Sequence, residues 1–193
     1  MIIRKLFKFE NAHIVRGCTT QKCSRNIHGH SYKVEVLLES DYLDNGQMVY
    51  DFGLIKHNIK ELIESFDHAI TLWSRDDKEY LVDMKKHSSR WIELPVSPSA
   101  EQFARVFFLI MEQVLKNTIM SNGEQGVKLN SIIVHETDTG YAQAFARDAH
   151  NINMGYVDMQ KIYFSEEIIS CWSDENLWNN LIFEKSIANP KNL

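Results

Sequence analysis

The chain has 193 residues, of which 44% are hydrophobic and 24% are charged, a composition typical of one globular domain with a substantial core. Its net charge of −5 argues against nucleic acid or an anionic membrane surface as a partner. No stretch is long and apolar enough for a signal peptide or a membrane span, and three cysteines do not suggest a disulfide framework, so we expect a cytoplasmic protein.

The N-terminal segment IIRKLFKFENAH alternates in the manner of a β-strand. Phe7, Phe9 and His13 share one parity, so the strand is expected to carry His13 on its apolar face. A second strand is predicted from HGHSYKVEVLLE, in which His28 and His30 share parity with the apolar residues that follow. If the two strands pair antiparallel, the three imidazoles meet at one end of the sheet and can hold a zinc ion with a fourth position open.

Each of these histidines alone is more often an ordinary hydrogen-bonded residue. The three together, with Cys23 close to His28 in the sequence, predict a functional site.

Two helices are predicted in the middle of the chain. The first follows a turn at residues 44–46, with Asp51 as its N-cap and an apolar face running to Phe66, so that Asp67 and His68 fall just past its end. The second begins at the Ser97-Pro98-Ser99 sequence, and its amphipathic pattern implies packing against a sheet.

Two further strands are predicted, at residues 127–136 and around residues 141–145, with Glu136 at the end of the first. The order strand, strand, helix, helix, strand, strand favours an α+β fold in which an antiparallel sheet has both helices on one face. Residues 1–146 form this domain, and residues 69–94 are a charged insertion within it. Residues 147–193 are an extension that is partly helical, with a capped helix after Ser173.

These pieces occur in a recognisable order: FENAH, Cys23 before HGH, MVYDFGLIK, FDH, SPSAE and HET. In this order they resemble the 6-pyruvoyl-tetrahydropterin synthase and 6-carboxytetrahydropterin synthase (QueD) family over residues 1 to about 146. The resemblance implies the tunnelling fold, a ββααββ unit assembled into a ring-like homo-oligomer, a trimer or hexamer. It also implies a small-molecule pterin substrate, 7,8-dihydroneopterin triphosphate.

The resemblance further implies the site residues: Zn²⁺ on His13, His28 and His30; acid–base work by Cys23 and the Asp67–His68 pair; and pterin binding by Glu136 and Ser99. The residue types suit these roles. A metal-bound hydroxyl and its neighbouring C–H bonds become more acidic, and a thiolate near cations can act as a base at neutral pH. A carboxylate can accept two hydrogen bonds from the edge of a pterin.

Several alternatives remain. The four residues between Cys23 and His28 give a loop between the lengths typical of the two enzymes, and the compact core from Asp67 to Glu136 favours 6-carboxytetrahydropterin synthase, in queuosine biosynthesis, over the pyruvoyl enzyme. A non-catalytic zinc-binding or pterin-binding protein is the alternative from another class. Cys18 can replace Cys23 as the base, while Ser99 can simply start a helix. The candidates for the triphosphate are Arg16, Lys22 and Arg25.

Overall fold

The alternation of the two N-terminal segments becomes a pair of long strands in the computed structural model, which describes residues 1–189. The strands are β1 (Ile2–His13), β2 (His28–Glu39), β3 (Ala69–Trp73), β4 (Trp91–Leu94), β5 (Thr118–Ile119), β6 (Lys128–His135), β7 (Tyr141–Ala144), β8 (Tyr163–Phe164) and β9 (Ile187–Ala188). The helices are α1 (Gln21–Arg25), α2 (Phe52–Ile55), α3 (Asn58–Glu64), α4 (Lys78–His87), α5 (Ala100–Asn117), α6 (Ala146–Ala149), α7 (Glu166–Ser170) and α8 (Leu177–Ile182). The predicted α+β class is confirmed.

Seven strands form the main sheet in the order β7-β6-β2-β1-β3-β4-β8. The strands predicted from the sequence, β1, β2, β6 and β7, pair antiparallel as expected. Residues 69–94 add β3 and β4, and these pair parallel, β3 to β1 and β4 to β3, so the sheet is mixed rather than purely antiparallel. In β3 the first four residues are all buried, which suits a strand covered on both faces.

The β1–β2 ladder is unbroken from Ile2 opposite Glu39 to His13 opposite His28. Phe7 and Phe9 of β1 and Tyr32 and Val34 of β2 are buried on the face that packs against α5. Because side chains of one parity share a face, this register also carries the histidines to the same side at the end of the ladder.

Helix α5 has the apolar face that its sequence predicts. Its buried residues include Phe103, Val106, Phe107, Ile110 and Val114. The Phe103 ring lies 6.5 Å from that of Phe9 and 5.3 Å from that of Tyr32, measured between centroids, so aromatic packing joins α5 to both central strands.

The helix predicted after Asp51 is divided in two. Asp51 caps α2 as expected, because its carboxylate accepts a hydrogen bond from the Gly53 amide at 2.7 Å. Helix α2 then ends in a tight turn, in which the Lys56 amide bonds to the Gly53 carbonyl, and His57 leaves helical geometry at φ −92° and ψ −113°. Helix α3 resumes the apolar face with Ile59 and the residues after it.

The C-terminal extension packs against the rest of the chain: β8 pairs with β4, and Trp172, Leu177, Trp178 and Leu181 join the main hydrophobic core. The prediction of a cap at Ser173 is wrong. Asn176 precedes α8 without a side-chain cap, and the Ser173 hydroxyl donates instead to Glu61 Oε2 at 3.1 Å. Among residues 1–189, no helix combines the length and apolar character that a membrane crossing requires.

Candidate active site

Three histidines converge where the β1–β2 ladder ends. His13 lies directly opposite His28, and His30 is two residues further along β2. The ring centroids are 4.5 Å apart for His13 and His28, 5.3 Å for His13 and His30, and 5.2 Å for His28 and His30. One ring nitrogen from each residue lies within 4.8 Å of the others, so the three can hold one metal ion. The predicted convergence of the imidazoles is present.

The outer nitrogens of two rings are bound to main-chain carbonyls. His13 Nδ1 lies 2.5 Å from the Pro98 carbonyl oxygen, and His28 Nδ1 lies 3.0 Å from that of Asn26. A carbonyl can only accept, so each Nδ1 carries the proton and each Nε2 lone pair is left for a metal. This is the usual support of a metal-binding histidine. Burial chiefly lowers the pKa of His13, which keeps the ring in the neutral form that binds metal.

The donor set fits zinc. Three neutral imidazoles are a common protein ligand set for catalytic Zn²⁺, and they leave a position for water or substrate. His13 is fully buried, whereas His28 and His30 are partly exposed, so the cluster can be reached from the side of these two residues.

Glu136 lies beside this cluster, immediately after β6. Its Oε1 accepts a hydrogen bond from the Tyr32 hydroxyl at 3.1 Å and lies 3.7 Å from His13 Nε2 and 3.8 Å from His30 Nε2. Burial, with the nearby Glu136 carboxylate, raises the pKa of Tyr32 far above its usual range, so the phenol remains a donor. Tyr32 therefore orients the carboxylate to which the family resemblance assigns pterin binding.

Ser99 is the N-cap residue of α5. Its hydroxyl oxygen accepts a hydrogen bond from the Gln102 amide at 3.4 Å, which is the helix-start role left open by the sequence. Because Pro98 precedes it and bonds to His13, the start of α5 is tied to the histidine cluster. A contact between Ser99 and a pterin stays a prediction.

The two N-terminal cysteines are free and partly exposed. Cys23 lies on the five-residue helix α1, and Cys18 precedes it in a loop. The Cys18 Sγ is 3.1 Å from the Thr20 hydroxyl, and hydrogen bonding to Thr20, with a smaller contribution from Cys23, lowers the pKa of the Cys18 thiol. Both thiols are thus in the same neighbourhood, and the choice between them as base stays open.

Asp67 and His68 form a hydrogen-bonded pair in the turn between α3 and β3. Asp67 Oδ2 accepts from His68 Nδ1 at 2.8 Å, while Asp67 Oδ1 accepts from the Glu10 amide at 2.8 Å. Burial alone would raise the pKa of Asp67, but these hydrogen bonds and the Arg90 charge lower it overall, so the carboxylate stays ionised. His68 is 76% exposed in its side chain and adopts a left-handed φ of +50°, which leaves its Nε2 open to solvent.

A surface cavity of about 400 Å³ lies at this end of the β1–β2 ladder. Its lining includes Glu10, Ala12, His30, Ser31 and His68. His30 and His68 both border it, but Glu10, Ala12 and Ser31 alternate with His13 and His30 along the strands, so most of the cavity lies on the opposite face of the ladder from the imidazole cluster. Among the described residues, Cys23 is not part of that lining; α1 carries it separately.

Tyr32 and the carbonyls of Pro98 and Asn26 were not predicted from the sequence as functional groups. Tyr32 did carry a signal, because it has the same parity as His30 and follows it by two residues. The carbonyls carried none, since every residue has one and only the fold decides where it points.

Comparisons with known proteins identify the relatives of this chain. The family model "6-pyruvoyl tetrahydropterin synthase" matches residues 2–147. The chain is 37% identical over 186 residues to the 6-carboxy-5,6,7,8-tetrahydropterin synthase of Helicobacter pylori J99, covering 96% of this chain and 93% of that protein. It is 34% identical over 160 residues to the Aquifex aeolicus protein of the same name, covering 73% and 95%.

Two solved structures share the fold. An uncharacterized protein from Wolinella succinogenes superposes with a TM-score of 0.62 at 21% identity, over 76% of this chain and 98% of that one. The 6-pyruvoyl tetrahydropterin synthase of Caenorhabditis elegans gives a TM-score of 0.53 at 19% identity, over 76% and 95%. At these identities the superpositions show the architecture alone.

Proposed function

Since the chain belongs to the 6-pyruvoyl tetrahydropterin synthase family, we propose that it is a 6-carboxy-5,6,7,8-tetrahydropterin synthase, a zinc-dependent lyase. It would act on 7,8-dihydroneopterin triphosphate with loss of acetaldehyde and triphosphate, in queuosine biosynthesis. The name of the Helicobacter pylori relative, which matches over nearly the whole of both chains, supports the carboxy product over the pyruvoyl product.

The observation that carries the proposal is the convergence of His13, His28 and His30, with one ring nitrogen of each within 4.8 Å of the others. These residues would hold the zinc ion through Nε2, because the Nδ1 atoms of His13 and His28 are engaged by carbonyls. Bound there, zinc would supply Lewis acidity to the hydroxyl-bearing side chain of the substrate.

The protein's own groups would bind the substrate and move its protons. Glu136 would bind the amino and ring N–H edge of the pterin, with Tyr32 fixing the orientation of the carboxylate. Ser99, at the start of α5, would contact the same ring. The Cys23 thiolate would remove a proton from the side chain of the substrate.

The Asp67–His68 pair would relay a proton. Asp67 holds His68 through Nδ1, so His68 Nε2 is the atom that would exchange a proton with the substrate. The exposure of the His68 side chain, 76%, leaves that atom accessible to a substrate. A ring-like cytoplasmic homo-oligomer, a trimer or hexamer, also belongs to the proposal on the strength of the family; light scattering coupled to size exclusion measures its mass.

Product identification tests the reaction. Zinc-loaded protein is incubated with 7,8-dihydroneopterin triphosphate, and the pterin product is identified by mass spectrometry. We expect 6-carboxytetrahydropterin together with acetaldehyde; formation of 6-pyruvoyl-tetrahydropterin, or tight pterin binding with no turnover, would refute the proposal.

Two cysteine variants test the base. Cys23→Ala should abolish turnover while the zinc content, measured by atomic emission, stays the same. Cys18→Ala is the matched control, since Cys18 lies just before the helix that carries Cys23, and it should retain turnover. The reverse result would move the base to Cys18.

A further inference from the structure

Helix α1, which carries Cys23, is too short to hold its own position. It has five residues, and none of them is buried. Isolated helices of this length are not stable in water, so their place depends on contacts with the rest of the protein. The orientation of the Cys23 thiol must therefore be set from outside α1.

Residues that follow β1 bind the end of this helix. The Val15 amide donates to the Cys23 carbonyl at 3.1 Å, and Arg16 Nη1 donates to the Ser24 carbonyl at 3.2 Å. Carbonyls in the last turn of a helix lack partners within it, and a guanidinium is a suitable donor for them. Arg16 is thus a direct side-chain anchor of α1.

The insertion at residues 69–94 holds Arg16 from the other side. Arg16 Nε donates to Asp76 Oδ1 at 2.9 Å, and the Asp76 side chain is only 4% exposed. The Arg16 guanidinium carbon lies 5.0 Å from the centre of the Tyr80 ring on α4, within the range of a cation–π contact. The charge of Arg16 is thus paired with that of Asp76.

We propose that Arg16, Asp76 and Tyr80 are positioning residues that hold Cys23 in its working orientation. This role rests on the assignment of Cys23 as the base proposed above. It also gives the insertion a function: besides adding strands to the sheet, it fixes a loop that the ββααββ unit would otherwise leave free. The metal ligands themselves lie on β1 and β2.

Asp76→Asn tests the role, with Asp83→Asn as the matched control. Asp83 is an exposed residue of α4, so its substitution removes the same charge from the same insertion without touching Arg16. We expect Asp76→Asn to lower kcat about 10-fold to 100-fold, since a displacement on the order of 1 Å has effects of this size. KM and zinc content should stay unchanged. Amide hydrogen exchange should rise within residues 14–27, and Asp83→Asn should leave all these values at the wild-type level.

Arg16→Lys is a second variant that keeps the charge. A lysine cannot reach Asp76 and the Ser24 carbonyl together, so kcat and exchange should change as in Asp76→Asn. A rise in KM with unchanged kcat would instead identify Arg16 as a contact for the triphosphate and overturn the positioning role. Unchanged exchange in residues 14–27 of both variants would also overturn it.

Hydrogen exchange separates this inference from the proposed function because it needs no substrate. If Cys23→Ala retains turnover, the base assignment fails. Raised exchange in Asp76→Asn together with wild-type turnover would show that Arg16 holds the helix without serving the reaction, which overturns the catalytic part of the inference.

Discussion

Arg105→Met should destabilise the protein through one surface segment. Arg105 lies on α5 and is 4% exposed. Its guanidinium donates to five main-chain carbonyls of the segment that follows β7, at distances of 2.6–3.2 Å: those of Asp148, Ala149, Asn151, Met154 and Gly155. One side chain therefore provides the hydrogen bonds for a segment that has little regular structure of its own.

The magnitude follows from what the substitution leaves behind. A buried acceptor without a partner costs about 1–3 kcal/mol, and breaking a buried charged network costs about 3–5 kcal/mol. Met154 and Gly155 are exposed, so water can replace the donor at their carbonyls, whereas Ala149 is buried. We therefore expect Arg105→Met to lower the free energy of unfolding by about 3 kcal/mol, near the lower end of that range.

Urea unfolding followed by circular dichroism measures this loss. Arg147→Met is the matched control, because the Arg147 side chain is 83% exposed and the chemical change is identical. The control should change the free energy of unfolding by no more than about 0.5 kcal/mol. If both variants lose the same small amount, the Arg105 network does not stabilise the fold and the reasoning fails.

Three further predictions concern pH, the turn that carries the Asp67–His68 pair, and the metal. Burial raises the pKa of Tyr50 to about 12. The neutral phenol therefore contributes fully to stability below pH ~10, and this contribution is lost as the pH rises towards 12. Tyr50→Phe should reduce the alkaline loss of unfolding free energy by at most about 2.7 kcal/mol, and an unchanged slope in alkaline urea titrations would contradict this. Asn11→Ala removes the Nδ2 donor of the buried Phe66 and Ala69 carbonyls, which should cost about 2–4 kcal/mol in urea unfolding; a loss below about 1 kcal/mol would show that these carbonyls find other partners. Chelation should lower Tm and added zinc should restore it, with a free-energy change of about 3 kcal/mol at metal concentrations 100-fold above Kd; an unchanged Tm would count against the three-histidine site.

The sequence predicts the parts of the fold that one periodicity controls. Parity alone places His13, His28 and His30 on one face, and the apolar stripe of α5 is read correctly because it is long and regular. The strands within the insertion at residues 69–94 were not predicted. Its strand AITLW has no alternation, since β3 is covered on both sides, and nothing local indicates that it pairs parallel with β1.

The candidate metal-binding and substrate-binding residues were predicted from the sequence, whereas the groups that orient them were not. His13 and Glu136 belong to short motifs with fixed spacing, whereas Tyr32 is one more aromatic residue on a buried strand until the fold brings its hydroxyl to a carboxylate. The break at His57 was also missed, because the apolar face continues across it and hides the change of backbone direction.

The register of the β1–β2 ladder decides which side chains of β2 lie on the inner face of the sheet. If β2 slipped by one residue, Gly29 and Ser31 would replace His28 and His30 on the inner face, and every core side chain of the strand would turn outwards. The three histidines therefore come together only when β1 and β2 pair in the native register. A tightly bound metal ion would therefore stabilise the native register of β1 and β2 relative to registers shifted by one residue. The fraction of refolded chains that bind metal would measure the fraction that has paired in the native register.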